Sequence, residues 1–194
     1  MNFLAHIYLS GEEEGVILGN FFADSIKGSR YLKYPPTIQK GILLHREIDT
    51  FTDAHLTVRQ STARLHKNYG HYSGVIVDIL YDHFLAKNWN QYHSQPLAEF
   101  VDEFYELLRR NFTILPMRIK RMMPYMITDN WLLNYASVQG ISTILTQMNV
   151  RTKNRSKMNF AVIELEEFYA EFEEEFTSFF AELITFSKIK LAEL

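Results

Sequence analysis

Three apolar stretches of the chain each carry two side chains able to bind a metal ion, spaced four residues apart. These pairs are Asn20 with Asp24, His45 with Asp49, and Asp78 with Asp82. Residues at positions i and i+4 lie on the same side of an α-helix, one turn apart. Converging carboxylates raise each other's pKa values unless a cation neutralises them, so the simplest explanation of the pattern is a metal site.

The pair Asp78 and Asp82 gives the clearest indication of function. Its neighbours in VIVDILYDHFL are apolar or aromatic except for His83, and a structural aspartate is more often found at a helix cap or on an exposed ridge. His83 points about 100° away from Asp82 on a regular helix. One of the two can therefore bind metal while the other supports it by hydrogen bonding or acts in proton transfer.

The second pair has a structural alternative. His45 can be a core histidine, with Asp49 capping its helix or pairing with Arg46. Asp53 either extends the face of His45 and Asp49 by one turn or, with Thr52, caps the following helix. Both interpretations stay open at this point.

The surroundings of Asp24 and of the other histidines indicate which of these side chains have a functional role. A carboxylate such as Asp24 near a helix C-terminus is disfavoured by the helix dipole, which mildly favours a functional role. His6, with Asn2 on the same side of a short helix, is predicted to be a hydrogen-bonded core histidine and not a ligand. The remaining histidines have polar or turn-like surroundings and are predicted to lie on the surface: His55, His66, His71 and His93.

The ligand types indicate which metal the site prefers. Oxygen-rich sets with one or two imidazoles suit Mn²⁺, Mg²⁺ or Fe²⁺ better than structural zinc. Such ions support phosphoryl chemistry, because they lower the pKa of bound water and neutralise phosphate oxygens. The sequence contains no GxSxG, Walker, GxGxxG or HExxH motif.

Composition sets the class of protein. The chain has 194 residues, 47% of them hydrophobic, and no cysteine, which excludes disulfides and thiolate nucleophiles. Its first residues do not form a secretory signal, and no run approaches the roughly 18 apolar residues of a membrane span. A soluble, cytoplasmic, globular protein is expected.

Charge is unevenly distributed along the chain. Residues 164–194 contain nine acidic and two basic side chains, a net charge of −7, whereas residues 1–163 contain 18 basic and 14 acidic ones, a net charge of +4. The basic body can attract an acidic partner. The acidic tail and the overall charge of −3 oppose nucleic-acid binding.

The elements that must position these residues are predicted to be helices. Proline and glycine are scarce, and no β-hairpin signal is present, so the chain is predicted to be all-α, with one helical domain over residues 1–194. Ser10 and Glu13 form a predicted capping box for the helix that carries Gly19–Ser25. Ser73 is predicted to cap a long helix through Trp89. The other predicted helices run from Pro35–Thr37 to about Thr50, over 57–67, from Pro96 onward, between Pro116 and Pro124, over 131–136 and 141–148, and from about Met158 to beyond Phe180. In the last one, a phenylalanine stripe is predicted to be core and the glutamates a solvated face.

Several segments together resemble one known family. They are MNFLAH, GNFFADSIKG, GILLHREIDTFTD, VDILYDHFLAKNW and TILP, in that order. On them the chain resembles the acyl carrier protein phosphodiesterase family, a divergent relative of the HD metal-dependent phosphohydrolases. The similarity runs through most of the chain and is weakest after about residue 140. The resemblance implies an HD-phosphohydrolase-like helical fold.

The resemblance also implies an activity and a site. The activity is hydrolysis of the phosphodiester between 4′-phosphopantetheine and a serine of holo-acyl carrier protein, with Mn²⁺ or Mg²⁺ as cofactor. The site that it implies comprises Asp24, His45, Asp49, Asp78, Asp82 and His83, with His6 and Asn20 as supporting residues, and we expect the six to meet in one cleft. We predict that Asp24, His45, Asp49, Asp78 and Asp82 bind the metal and that His83, His45 and Arg46 are catalytic. Typical HD enzymes have His followed by Asp, whereas here the adjacent pair is Asp82-His83, so their ligand assignments cannot be copied.

The carrier protein would be acidic, and basic residues near the site are candidates to bind it. Lys27, Arg30 and Lys33 follow Asp24 most closely and are preferred over the basic clusters at 109–121 and 151–157. Arg46 could contact a phosphate or form a surface salt bridge. Two alternative functions are a phosphohydrolase of a small nucleotide and a non-catalytic helical binding module. The sequence does not predict the oligomeric state.

Overall fold

The chain forms only helices and short turns. A computed structural model describes residues 1–194, without any β-strand, so the all-α prediction is confirmed. The relation to HD phosphohydrolases stays a prediction. The eleven α-helices are α1 (Phe3–Tyr8), α2 (Glu14–Phe22), α3 (Pro36–Ala54), α4 (Leu56–Tyr69), α5 (Ser73–Lys87), α6 (Leu97–Arg110), α7 (Met117–Thr128), α8 (Trp131–Asn134), α9 (Val138–Arg151), α10 (Val162–Glu167) and α11 (Tyr169–Glu193).

Helices α2 and α3 pack closely because glycines face each other across their contact. A methyl group on Gly19 would lie 2.2 Å from the carbonyl oxygen of Ile38, and one on Gly41 would lie 2.2 Å from that of Val16. The absence of side chains therefore lets the two backbones touch. This close approach brings the C-terminal half of α2 against the middle of α3, where His45 lies.

Helix α11 supplies a large part of the core. Phe172, Phe176, Phe179 and Phe180 are fully buried, and the helix packs against α3, α4 and α5. The prediction that this stripe is core is confirmed. The prediction of a solvated glutamate face is wrong for two residues, which are buried: Glu175 pairs with Arg64, and Glu164 accepts hydrogen bonds from Asn68 and Tyr69.

Some predicted helix boundaries are wrong. The last helix is interrupted at Phe168, whose backbone angles (φ −113°, ψ 32°) separate α10 from α11. Pro124 does not end α7 but lies inside it, since a proline removes only one helical hydrogen bond and its neighbours Met123 and Met126 are buried in the core. Helix α5 ends at Lys87, two residues before Trp89.

Three predicted caps are also corrected. Ser10 does not cap α2, because its hydroxyl donates to the carbonyl of His6. Ser73 donates to the carbonyl of Gly70 and leaves α5 without a side-chain cap. At the start of α4 the capping side chain is His55, whose Nδ1 accepts from the amide of Thr57, and not Thr52 or Asp53.

No helix is both long and apolar enough to cross a membrane.

Candidate metal centre

Two histidines and an aspartate bring their ligand atoms together at one end of the α1, α2 and α3 contact. His6 Nε2 lies 3.2 Å from one carboxylate oxygen of Asp49, and His45 Nε2 lies 3.1 Å from the other. The two imidazoles stack with ring centroids 4.0 Å apart. The Asp24 carboxylate, in the turn after α2, lies 3.3 Å from His45 Nε2. One atom each from His6, His45 and Asp49 lies within 4.8 Å of the others, a separation that a single ion can bridge.

Asn20 holds both imidazole rings in place through their other nitrogen atoms. His45 Nδ1 donates to the main-chain carbonyl of Asn20 over 2.8 Å. The side-chain amide of Asn20 donates to the carbonyl of His6 and to the hydroxyl of Ser10, which leaves its Oδ1 to accept from His6 Nδ1 at 2.8 Å. With Nδ1 carrying the hydrogen on each ring, each neutral imidazole presents a lone pair on Nε2 toward Asp49.

These lone pairs make the cluster suited to a cation. Two acceptors such as a neutral Nε2 and a carboxylate oxygen repel each other unless a proton or a metal ion lies between them. The arrangement has the Nδ1 tether that metal-binding histidines commonly show. Two imidazoles and two carboxylates also match the ligand preferences of Mn²⁺ or Fe²⁺. The residues therefore fit a divalent ion.

Without a metal ion, a proton can occupy the cluster, and the pKa values of its side chains indicate which of them holds that proton. Burial and the neighbouring His45 lower the pKa of His6 to about 4. Burial also opposes the charge on His45, but hydrogen bonds to Asp24 and Asp49 outweigh it and raise the pKa of His45 to about 9. The hydrogen bond to His45 lowers the pKa of Asp24. In Asp49, hydrogen bonds to the two histidines outweigh burial and hold its pKa well below the ordinary value.

Two further carboxylates face the same cleft, which has a volume of about 230 Å³. Asp78, on α5, accepts from the amino group of Met1 at 2.8 Å. Asp53, in the last turn of α3, is exposed, and partial burial together with nearby Asp49 and Asp78 raises its pKa. The cleft is therefore lined by the His–Asp cluster and by two additional carboxylates.

Asp82 is not part of the cleft wall. Its side chain is fully buried, and its oxygens accept from the main-chain amides of Asn2, Leu4 and Ala5 at 3.2, 2.7 and 3.4 Å. It therefore satisfies the free N–H groups at the start of α1. Burial raises its pKa to about 7, against the opposing effects of the Met1 amino group and these three amides.

His83 also lies outside the cleft. Its Nδ1 bonds the carbonyl of Tyr135 at 2.7 Å, and its Nε2 bonds the hydroxyl of Tyr169 at 2.8 Å. Of the six side chains that we expected to converge, the structure thus brings together Asp24, His45, Asp49 and Asp78 but not Asp82 or His83. Asp82 stays out of the cleft because α1 begins between α5 and the His–Asp cluster. The main-chain amides at the start of α1 bind the Asp82 carboxylate.

The remaining candidates lie next to the cluster. Arg46 donates to the carbonyls of Ile26 and Gly28 and stacks on Tyr31, 5.1 Å from its ring centroid, so it fixes the segment after Asp24 and is not in a surface salt bridge. That segment exposes three basic side chains, Lys27, Arg30 and Lys33.

His6 is more directly involved in the cluster than the sequence predicts. It predicted a hydrogen-bonded core histidine, and His6 is indeed buried with its Nδ1 bonded to Asn20, but its Nε2 faces Asp49. The available signal was the shared helical face of Asn2 and His6 at the start of the chain. Contact between α1 and α3 could not be predicted from that spacing.

A helical fold in which His6, His45 and Asp49 meet in one cleft is compatible with a metal-binding protein. Comparison with known proteins is more specific: the family model described as acyl carrier protein phosphodiesterase matches residues 1–183, and the chain belongs to that family.

Similar proteins with the same name occur in several bacteria. The chain is 30% identical to the acyl carrier protein phosphodiesterase of Pectobacterium atrosepticum, over 97% of this chain and 98% of that protein. It is 30% identical to that of Yersinia pestis over 93% and 94% of the two chains, and 29% identical to that of Escherichia coli O157:H7 over 95% and 96%. No solved structure matches the chain.

Proposed function

We propose that this protein is a metal-dependent phosphodiesterase acting on holo-acyl carrier protein. Water cleaves the phosphodiester between 4′-phosphopantetheine and the carrier serine, which yields apo-carrier protein and 4′-phosphopantetheine. Family membership over residues 1–183 and the shared name of nearly full-length relatives support the reaction. The absence of cysteine fits a cytoplasmic location.

The observation that carries the metal dependence is the pair of Nε2 atoms facing Asp49. His6, His45 and Asp49 would hold the ion, and Asp24 would add a fourth ligand from the turn after α2. Mn²⁺ or Mg²⁺ is the proposed cofactor, and Fe²⁺ fits the same donors. When bound, such an ion lowers the pKa of water and neutralises charge on phosphate oxygens.

The residues of the chain divide the remaining work. Asn20 orients both imidazoles by holding their Nδ1 atoms. Asp78 accepts from Met1 through one oxygen, Oδ1, so its other oxygen can orient a water molecule for attack on phosphorus and accept its proton. Asp53, with its raised pKa, is placed to return a proton to the serine oxygen that leaves. This role replaces the one predicted for His83.

The acidic carrier protein would approach over the segment that follows Asp24. Lys27, Arg30 and Lys33 are exposed there, and Leu32 exposes 60% of its surface between them. The hydrogen bonds of Arg46 to Ile26 and Gly28 hold the segment against α3. A basic surface with an exposed apolar side chain suits an acidic protein that also buries apolar surface.

The test is to incubate purified protein with holo-carrier protein and Mn²⁺ and to measure the carrier mass. Loss of the 4′-phosphopantetheine group and its dependence on the ion, shown by adding EDTA, would be the expected result. His45→Ala should abolish the conversion and lower the Mn²⁺ content found by elemental analysis. An unchanged holo-carrier mass with Mn²⁺, Mg²⁺ and Fe²⁺ alike would contradict the proposal.

A further inference from the structure

A second cavity opens directly from the candidate metal centre. Its volume is about 310 Å³, within the range of roughly 300–1,000 Å³ for pockets that take small molecules. Met1, Asn2, Phe3, Asp24 and Asp78 line both this cavity and the cleft. A substituent of a phosphate bound at the His–Asp cluster can therefore extend from the cleft into this second cavity and stay in contact with the protein.

Apart from the residues shared with the cleft, the walls of this cavity are mainly apolar and come mostly from the second half of the chain. Met122, Trp131, Ile144 and Met148 line it, and Gln147 adds a side-chain amide. A further cavity, lined in part by Asp53 and Asp78 and about 520 Å³ in volume, is instead lined mostly by polar side chains such as Arg59, Thr62 and His66. The two cavities therefore favour different substituents of a phosphodiester.

Positive charge lies beside the apolar walls. Arg118, on α7, and Arg151, at the end of α9, are exposed and line the same cavity. The guanidinium of Arg151 lies 5.1 Å from the ring centroid of Trp131, which fixes both side chains at this position. An acidic carrier that delivers its prosthetic group here would meet these charges.

We propose that this cavity binds the pantetheine arm of the substrate, an inference that rests on the proposed function. The arm begins at the phosphate, carries two methyl groups that suit the apolar walls, and contains two amides that can pair with Gln147. The flexible arm is held while the phosphodiester is aligned at the His–Asp cluster. Met148, Trp131 and Gln147 thus become residues that determine specificity.

The test fills the cavity and leaves the His–Asp cluster unchanged. Met148→Trp places a larger side chain in the wall, and Val150→Trp is the matched control, because Val150 lies on the same helix, is 63% exposed and does not line the cavity. Binding of 4′-phosphopantetheine and of inorganic phosphate is measured by calorimetry with Mn²⁺ present. Hydrolysis of holo-carrier protein is measured with the same three proteins.

Met148→Trp should weaken 4′-phosphopantetheine binding and lower kcat/KM for holo-carrier protein, each by about tenfold or more, since the lost contacts are those of the arm. Phosphate binding and all properties of Val150→Trp should stay within about twofold of wild type. Equal 4′-phosphopantetheine affinity in Met148→Trp and Val150→Trp would overturn the inference. A wild-type protein that binds 4′-phosphopantetheine more tightly than phosphate yet hydrolyses no carrier would refute the proposed function and keep the cavity assignment.

Discussion

The two stacked imidazoles in the cleft have pKa values that are shifted in opposite directions. His6 is buried and close to His45, which lowers its pKa to about 4, whereas hydrogen bonds to Asp24 and Asp49 overcome burial and raise the pKa of His45 to about 9. Without metal, the pair therefore carries one positive charge at neutral pH. A divalent ion would take the place of the His45 proton, so metal and proton compete for the same nitrogen.

The pH dependence of stability should reveal this competition. A folded pKa of about 9 for His45, above its unfolded value of 6.5, gives stabilisation that is complete below pH 6.5 and lost as the pH rises through 9. In EDTA, the melting temperature should therefore fall between pH 6.5 and pH 9.5. With saturating Mn²⁺ this fall should disappear, because tighter binding to deprotonated His45 offsets the loss of its proton.

His45→Gln serves as the control for this measurement. Glutamine does not titrate, so the variant should lose the fall in EDTA. If wild type and His45→Gln show parallel curves of melting temperature against pH in EDTA, His45 does not have the raised pKa. Equal increases in melting temperature on adding Mn²⁺ to the two proteins would show that His45 does not bind the ion.

Sequence alone could predict part of this chemistry. The spacing of His45 and Asp49 within one helix was sufficient, because a single turn brings them together. His6 and Asp82 were assigned the wrong importance, since their partners lie on other helices. The apolar neighbours of Asp82 in the sequence suggest a metal ligand. They do not reveal that the main-chain amides at the start of α1 donate to its carboxylate.

At the scale of elements, α1 is held in position by a residue of α5. The amides of Asn2, Leu4 and Ala5 bond the buried carboxylate of Asp82, and α1 in turn carries His6 into the cleft. A helix of six residues is too short to be stable by itself. The position of the His6 ring therefore depends on Asp82, although Asp82 does not line the cleft.

Asp82→Ala should lower stability whether or not metal is present. Leaving buried amides without an acceptor costs about 1–3 kcal/mol, so the free energy of unfolding in urea should fall by that amount in EDTA and by at least that amount in Mn²⁺. Asp53→Ala is the matched control, because Asp53 is an exposed carboxylate of the cleft, and its loss should change stability by less than about 0.5 kcal/mol. An Asp82→Ala protein as stable as wild type in EDTA would show that the carboxylate is not needed as a cap.

The contact between α2 and α3 can be tested separately. Gly41→Ala would place a methyl group 2.2 Å from the carbonyl oxygen of Val16 and 2.8 Å from the amide of Asn20, forcing the two helices apart. The cost should be about 1–3 kcal/mol, and Mn²⁺ affinity should fall because the Asn20 carbonyl no longer holds His45 Nδ1. Gly74→Ala, where no atom lies within 4 Å of the added methyl, should be neutral or stabilising. Equal unfolding and Mn²⁺ titration curves for the two variants would contradict this view of the packing.

For the molecule as a whole, helical class was predictable, whereas the assembly of the helices was not. The phenylalanine spacing of α11 identified a core face, and four of those side chains are fully buried. The break at Phe168 was missed because the sequence from about Met158 to beyond Phe180 follows one helical pattern. The buried Glu164 and Glu175, on either side of the break, take partners from α4, namely Asn68, Tyr69 and Arg64. Such pairings join segments distant in sequence, and local periodicity does not contain them.

The uneven charge of the chain leads to a final prediction about the carrier protein. Reversing Lys27, Arg30 and Lys33 to glutamate should raise KM for holo-carrier protein by about tenfold or more at low salt, because these exposed charges face the approach to Asp24. The difference should shrink at 0.5 M NaCl, where screening weakens exposed charges. kcat should change little, since none of the three side chains touches the His–Asp cluster.

Lys188→Glu, on the exposed side of α11 and outside the residues that line the cleft, gives a control that also lowers the net charge. The increase in KM per substituted residue is compared between Lys188→Glu and the triple substitution. If the two increases are equal, the carrier is attracted by the overall charge and not by the segment after Asp24. A KM independent of salt in every variant would mean that docking relies on apolar contacts, among which the exposed Leu32 would be the next residue to replace.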